Sequence, residues 1–270
     1  MRYGGNTSCV EVRRGDQVII LDAGTGLRAL GQSLAAAHAQ PGGGEFDISL
    51  LLTHTHWDHI QGLPFFAPLY DARCRLHIFG YEGARKGLVD ALTGQMESTY
   101  FPVPFSKTPG NVEITELDQN QFTLGEFQIH AQRSNHPGVC VGYRLQSPEG
   151  KIAFFPDSEP RPSGTDPEML AFIRGVDVLI LDSQYDSIEY EYHEGWGHGC
   201  VEDSVRLAIA AEVKRLVLFH HDPNHSDKKM DRLVQQARRQ VAKAGVRLEV
   251  EAAREGRTLK LSGKARKPAK

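Results

Sequence analysis

The sequence contains little cysteine and has no long apolar run. Its four cysteines, Cys9, Cys74, Cys140 and Cys200, form no CxxC pair. A chain of 270 residues can bury a sizeable core without disulfides, so we expect reduced thiols, as in a cytosolic protein. No run of 18 apolar residues and no basic, apolar leader is present, which argues against a membrane span or a secretory signal. We therefore expect a cytoplasmic location and no membrane partner.

An excess of positive charge is also missing. The formal net charge is -3 and the sequence pI is about 6.5, so no overall basic field attracts nucleic acid. We do not expect long nucleic acid as a partner, and any recognition of phosphate must be local. The composition of 40% hydrophobic and 24% charged residues is typical of a globular protein, and we predict one domain at 1–263. The basic residues 264–270 (KARKPAK) are predicted to be a disordered tail.

Short apolar runs alternate with stretches of helical periodicity, a pattern that predicts sheets covered by helices. Strands are predicted at Val18–Asp22, Ile48–Thr53, Arg75–Phe79, Phe127–Ala131, Val139–Leu145, Lys151–Phe155, Val178–Asp182, Leu216–Phe219 and Val246–Val250. Helices are predicted at Gly24–Ala39, Glu82–Leu92, Asp166–Ile173, Val201–Val213 and Ser226–Ala244.

The strongest chemical signal is the run HTHWDH at 54–59, directly after the second predicted strand. Side chains two residues apart on an extended segment point the same way, so His54 and His56 can bind one ion. Asp58 and His59 follow after the chain turns, and the turn can direct them toward a second ion. Four ligand-type residues within six positions, at the end of an apolar strand, predict a metal site.

Two ions need more ligands than this loop provides. His136 precedes the strand VCVGYRL, Asp157 follows KIAFF, and His220 follows RLVLF. Strand ends are where sheets present functional side chains on loops. Each of these residues is a weak signal alone, but together with HTHWDH we predict all three as ligands. Nitrogen and oxygen ligands without cysteine favour zinc, with manganese or iron as alternatives.

The run HTHWDH matches the HxHxDH signature of the metallo-β-lactamase superfamily, and the later His, Asp and His follow in a similar order. The opening GGNTSC, followed by VIILDAGTG, also resembles the first strands of this family. The resemblance extends from about Tyr3 to His225. It implies an α/β fold, an αββα four-layer sandwich. Asp22 would either support the ligand loop or simply end its strand.

This resemblance also implies how the ligands divide between two divalent ions. The first ion would be held by His54, His56 and His136. The second would be held by Asp58, His59 and His220, and Asp157 would bridge both. Two ions about 3.5–4 Å apart lower the pKa of a bridging water, and the resulting hydroxide would attack the substrate. From its place beside the ions, Asp58 is expected to orient that hydroxide or to carry its proton.

Residues 197–203 (GHGCVED) resemble the ribonuclease Z branch, in which a histidine, an acidic residue, a helix and a strand precede the last ligand histidine. His198 would then assist the leaving oxygen as a general acid, oriented by Asp203 or Glu202. As an alternative, the same residues only cap the following helix.

The sequence lacks the long insertion that ribonuclease Z uses as an arm for transfer RNA, and the nearest candidate, 96–111, is short. This departure favours a smaller substrate. The chain resembles the small phosphodiesterases related to ribonuclease Z, including cyclic-nucleotide phosphodiesterases. Tyr192, His193 and Trp196 would stack on a base or pack their loop. Since relatives often dimerise, we expect a homodimer.

Fold alone does not fix the reaction. The first hypothesis is hydrolysis of a small phosphodiester. The second is hydrolysis of an acyl or lactam bond with the same metal centre, as in thioesterases, lactonases and β-lactamases. The third is a sensor without enzymatic activity, against which the full set of ligand residues argues.

Overall fold

A computed structural model describes residues 1–39, 44–81, 87–160 and 166–261. Within these ranges the strands are β1 (Val10–Arg14), β2 (Gln17–Leu21), β3 (Phe46–Leu51), β4 (Cys74–Gly80), β5 (Asn111–Glu116), β6 (Gln121–Leu124), β7 (Phe127–Arg133), β8 (Val141–Ser147), β9 (Gly150–Phe155), β10 (Val178–Asp182), β11 (Arg215–Phe219) and β12 (Glu249–Ala252). The helices are α1 (Gly26–Ala37), α2 (Trp57–Ile60), α3 (Leu88–Gly94), α4 (Pro167–Ile173), α5 (Ser187–Tyr190), α6 (Val201–Ala210) and α7 (Asp227–Ala244).

The chain forms two compact units, each with one sheet. The N-terminal unit comprises Asn6–Gln119 and Gly138–Val141, and the C-terminal unit comprises Met1–Gly5, Asn120–Pro137 and Gly142–Lys270. Both sheets are mixed and carry helices, so the predicted α/β class is confirmed. The prediction of a single domain at 1–263 stays a prediction, and the tail at 264–270 lies outside the described residues.

The N-terminal unit has a five-stranded sheet in the order β1-β2-β3-β4-β5. β1 pairs antiparallel with β2, and the remaining pairs are parallel. The apolar side of α1, with Leu27 and Leu34 buried, packs into the core beside Ile20 and Ile48. Because β2 and β3 are parallel, their carboxyl ends meet at one edge of the sheet, which brings Asp22 close to the loop that follows β3.

The C-terminal unit has a seven-stranded sheet in the order β12-β11-β10-β9-β8-β7-β6. Strands β9 to β12 are parallel, and their buried residues pack against α4, α6 and α7. The parallel arrangement again gathers the carboxyl ends of neighbouring strands at one edge. Asp157, Asp182 and His220 lie at the ends of β9, β10 and β11, so the sheet places the three side chains near one another.

The predicted strands are confirmed, with shifted ends, but β1, β5 and β6 were not predicted. These three strands bury few residues and alternate with polar side chains, so they carry no continuous apolar run. The predicted helix at Glu82–Leu92 is observed only from Leu88, and 82–86 lie outside the described residues. In the part of the chain that the structure describes, no helix combines the length and apolar character needed to cross a bilayer.

Candidate metal centre

The loop after β3 carries His54, His56, Asp58 and His59, here called the loop cluster. The chain stays extended through His56 and then turns into α2, which holds Asp58 and His59. The ring centroid of His54 lies 4.5 Å from that of His56 and 4.2 Å from that of His59. The Nε2 atom of His59 lies 3.3 Å from Oδ2 of Asp58. The structure thus brings these four predicted ligands together within the N-terminal unit.

Asp22 holds the loop cluster in place from the end of β2. Its fully buried carboxylate accepts hydrogen bonds from the backbone N–H of Thr53 at 2.8 Å and from the hydroxyl of Ser8 at 2.9 Å. The same carboxylate lies 2.8 Å from Nδ1 of His59. Asp22 adopts a positive φ of 62°, which is unusual for a residue with a side chain. These contacts favour the supporting role over a simple end to the strand.

His54 is also held through its Nδ1 atom. This nitrogen lies 3.1 Å from the hydroxyl oxygen of Thr53 and 3.7 Å from Sγ of Cys140. Cys140 belongs to the short segment Gly138–Val141 of the same unit. No feature of the local sequence pointed to this cysteine, because it is 86 residues away along the chain.

The C-terminal unit carries His136, Asp157, His198 and His220, here called the strand-end cluster. Asp157, His198 and His220 each offer a ligand atom, and these three atoms lie within 4.8 Å of one another. Oδ2 of Asp157 lies 3.8 Å from Nε2 of His136, and its Oδ1 lies 3.5 Å from Nε2 of His220. The two oxygens of one carboxylate therefore face two different imidazoles, as the carboxylate of a bridging ligand would.

His136 and His220 have their Nδ1 atoms anchored as well. Nδ1 of His136 lies 3.1 Å from the carbonyl oxygen of Gly197, and Nδ1 of His220 lies 3.0 Å from Oε1 of Gln184. Gly197 has a φ of +92°, and a Cβ atom there would lie 2.0 Å from Nδ1 of His136. Only glycine fits that position. His220 has a positive φ of 58°, a strained backbone at a site residue, as at Asp22.

His198 forms a pair with Asp182. Its Nδ1 atom lies 2.9 Å from Oδ2 of Asp182, and its ring stacks on that of His220 with centroids 4.7 Å apart. Asp182 also accepts hydrogen bonds from the backbone N–H groups of Ser158 at 3.0 Å and Gln184 at 3.1 Å. Complete burial raises the pKa of Asp182, while the hydrogen bond from His198 acts in the opposite direction. The sequence had suggested Asp182 only as a strand residue.

The structure places Asp203 away from the role that the sequence suggested. Asp203 lies in the first turn of α6, where its Oδ1 is 2.7 Å from a guanidinium nitrogen of Arg206. Glu202 hydrogen-bonds to Ser187 instead. Among the described residues, the carboxylate that hydrogen-bonds to His198 is that of Asp182. The correction has a simple cause, because the helix begins at Val201 and directs the two acidic side chains to its own surface.

Glu159 was missed by sequence reasoning, although it lies only two residues after Asp157. Its side chain is buried and accepts hydrogen bonds from the hydroxyl of Tyr190 at 3.0 Å and from the backbone N–H groups of Gly195 at 2.6 Å and Gly197 at 2.9 Å. A buried carboxylate with three donors fixes the segment 190–197, here called the aromatic loop. Through Gly197 it also fixes the carbonyl that holds His136.

The aromatic loop exposes two large rings. Tyr192 and Trp196 are 78% and 62% exposed. His193 instead stacks on the buried ring of Tyr185, with centroids 4.4 Å apart, and Trp196 contacts His193 edge-on at 4.8 Å. Of the three side chains suggested to stack on a base, His193 packs the loop, whereas the two others remain accessible.

The donor set fits a divalent metal ion. His54, His59, His136 and His220 each have Nδ1 on a neighbouring oxygen or sulfur atom, so Nε2 is the nitrogen that could bind an ion. Partners of this kind fix the tautomer and the orientation of ligand imidazoles. Imidazole nitrogens and carboxylate oxygens suit zinc and similar ions. The His and Asp groups of this protein could therefore hold a divalent metal.

The arrangement of sheets, helices and histidines is that of the metallo-β-lactamase fold, and comparison with known proteins agrees. A family model described as the Beta-lactamase superfamily domain matches residues 17–221. The chain belongs to this family. The chain is thus a hydrolase of the metallo-β-lactamase fold, as the sequence resemblance implied.

Three similar proteins illustrate the relationship. A ribonuclease Z of Metallosphaera sedula is 28% identical over 237 residues, covering 70% of this chain and 75% of the relative. The metallo-β-lactamase fold protein YhfI from Bacillus subtilis has a TM-score of 0.66 at 23% identity, with 95% of each chain covered. A diphosphatase of the PhnP family has a TM-score of 0.64 at 18% identity, with 96% of this chain and 86% of the other covered.

Proposed function

We propose that this protein is a phosphodiesterase that hydrolyses a small phosphodiester, such as a cyclic nucleotide, with two divalent metal ions, preferably zinc. The observation that carries this proposal is the pair formed by His198 and Asp182 beside Asp157 and His220 in the strand-end cluster. The names of the relatives, a ribonuclease and a diphosphatase, denote enzymes that act on phosphate bonds. They support phosphate chemistry over acyl transfer.

In this proposal the seven predicted ligands act together. One ion would be held by His54, His56 and His136, the other by Asp58, His59 and His220, and Asp157 would be a ligand of both. The anchored Nδ1 atoms and the two-sided placement of Asp157 support this assignment. When bound, divalent ions of such a centre activate water and neutralise charge on phosphate oxygens.

His198 is the proposed general acid. Asp182 holds Nδ1, so Nε2 is the nitrogen that can give a proton to the leaving oxygen. We assign the orienting role to Asp182 in place of Asp203. Asp58 remains the proposed acceptor for the proton of the attacking water, and its side chain, which is 38% exposed, can pass that proton to solvent.

The proposed substrate is small and carries a ring. Base stacking on an aromatic side chain contributes about 1–3 kcal/mol per base and needs no specific sequence. The exposed rings of Tyr192 and Trp196 are available for such stacking. Since the protein carries a net charge of -3, local contacts of this kind are a better source of affinity than a general attraction to a polyanion.

The test compares diesters that differ in their leaving group. Zinc- or manganese-loaded protein should hydrolyse bis(p-nitrophenyl) phosphate and cyclic nucleotides. His198→Ala should reduce the rate for nucleotide diesters about 10²–10⁴-fold, because their alkoxide leaving groups need a proton. The loss should be much smaller for p-nitrophenolate, which leaves without one.

The matched control is His77→Ala, which removes a half-buried imidazole of β4 that pairs with Glu113. It should leave both rates unchanged. The proposal would be overturned if the metal-loaded protein hydrolysed thioesters, lactones or cephalosporins but no diester. The protein would then be an acyl-type hydrolase.

A further inference from the structure

The C-terminal unit has a groove whose lining includes none of the proposed metal ligands. It has a volume of about 450 Å³ and lies where β7 and β8 face the helix α4. Its charged and aromatic lining consists of His130, Arg133, Arg144, Glu168 and Phe172. This volume falls within the range of about 300–1,000 Å³ that is usual for small-molecule sites.

Arg144 is the central side chain of the groove. It donates a hydrogen bond of 2.7 Å to the carbonyl of Phe172, and its guanidinium carbon lies 4.7 Å from the centre of the Phe172 ring. Its Nε atom is buried and has no hydrogen-bond partner within the described residues. Burial lowers the pKa of Arg144, because desolvation disfavours the charged form of the guanidinium.

A partly buried arginine without a carboxylate partner is unusual. Partly buried guanidinium groups normally pair with an acidic side chain, because a charge removed from water needs a partner of opposite sign. Across the described ranges, Arg144 has no carboxylate within ion-pair distance, and neither does Arg133. Glu168, the acidic side chain in the groove, is exposed and forms an ion pair with neither arginine. The lining therefore presents uncompensated positive charge.

We propose that this groove binds the phosphate group of a small phosphorylated molecule through Arg144 and Arg133, with His130 as a third polar contact. The guanidinium group presents paired N–H donors that match phosphate oxygens. The face of Arg144 is occupied by Phe172 and its Nε atom is buried, so the terminal Nη groups are the part that meets the ligand. The remainder of the groove accommodates the organic part of the molecule.

His130 provides a local signal for binding. Burial and the positive charge of Arg144 lower the pKa of its imidazole. A bound phosphate offsets that charge, so the pKa of His130 should rise when the groove is filled. Heteronuclear NMR of the His130 ring in metal-loaded protein, titrated with inorganic phosphate, AMP and citrate, measures this change and separates it from binding at the metal ions.

Saturable shifts of the His130 resonance with phosphate and AMP are expected, with AMP binding more tightly. Arg144→Gln should weaken binding about tenfold or more, because it removes a charge-assisted hydrogen bond to the phosphate. Glu168→Gln should strengthen it, because a competing negative charge is removed from an exposed position without loss of packing. Arg174→Gln, which removes an exposed arginine paired with Glu212, is the control and should change nothing.

Three results would overturn the proposal. The first is a His130 resonance that does not respond to phosphate or AMP. The second is a response that Glu168→Gln leaves unchanged or weakens. The third is citrate binding more tightly than phosphate, which would assign the groove to carboxylates. None of these outcomes bears on catalysis, so the proposed phosphodiesterase activity is tested independently, by the diester assays.

Discussion

Four histidines are held in place through the same ring nitrogen, Nδ1. His54, His59, His136 and His220 all place Nδ1 against a side-chain or backbone partner. Each partner differs, yet each has the same effect, since a fixed ring directs Nε2 in one direction. Asp22, which supports His59, and His220, a proposed ligand, also have strained backbones with positive φ. This strain is maintained by the buried hydrogen bonds around it.

The pair His198–Asp182 gives a prediction about single residues. Asp182→Asn should lower the rate for nucleotide diesters about 10²-fold or more, because an amide cannot hold a protonated imidazole as a carboxylate does. The double variant with His198→Ala should be no slower than His198→Ala alone, since the two residues act as a unit. Rates for all four proteins, measured with metal content matched, complete the cycle.

Thermal unfolding of the same four proteins is the control for that cycle. Asp182 accepts two backbone hydrogen bonds at the end of β10, so Asp182→Asn is expected to lower stability by about 1–3 kcal/mol as well. Fully additive rate losses in folded protein would contradict the joint role of the pair.

The sequence singled out the candidate ligands but not most of the residues that support them. Candidate ligands such as His54 and Asp157 were singled out because their chemical types follow apolar strands in a family order. Asp182 and Glu159 were not, since an acidic residue after a strand is common. Asp203 was preferred for its nearness to His198 along the chain, but the sheet brings the end of β10 closer in space. Local sequence patterns do not predict which strands lie next to each other, so they do not predict contacts between residues at strand ends.

At the scale of the elements, the conformation of the aromatic loop depends on the side chain of Glu159. The Glu159 carboxylate accepts three hydrogen bonds. In Glu159→Gln one of its oxygens becomes an NH₂ group, which is a donor and would face other donors. We expect zinc affinity to fall about 10–100-fold, the usual effect of removing an outer partner of a ligand. Competition with a chromophoric chelator measures this affinity.

Glu194→Gln is the matched control, because it makes the same change in an exposed residue of the same loop. It should leave zinc affinity unchanged. Limited proteolysis should also cut the aromatic loop faster in Glu159→Gln than in the control. Equal affinities and equal cleavage rates would show that Glu159 does not position His136.

Among the strands and helices, those with a strong sequence pattern were predicted and those with a weak one were not. Strands with continuous apolar runs, such as β2 and β10, were predicted because both faces are buried. Edge strand β6 and the short helix α5 were not, since few of their residues are buried. α5 begins with a capping box formed by Asp186 and Glu189, a signal that is visible in the sequence but short.

At the scale of the whole molecule, the proposed ligands come from distant parts of the chain, from His54 to His220. Removal of metal should therefore affect the stability of the entire chain. An ion present at about 1,000 times its dissociation constant stabilises the folded state by about 4 kcal/mol. We expect zinc to raise the Tm of the apo protein by several degrees and a chelator to reverse this change. Differential scanning calorimetry with metal analysis measures both quantities.

Two ligand variants make this prediction sharper. His54→Ala and His136→Ala remove ligands that are proposed for the same ion, so both should lower zinc content from about two ions per chain to about one. Both should lose a similar part of the zinc-dependent increase in Tm. His38→Ala, outside both clusters, should lose none. If only one of the two ligand variants loses zinc, the assignment of His54 and His136 to a common ion is wrong.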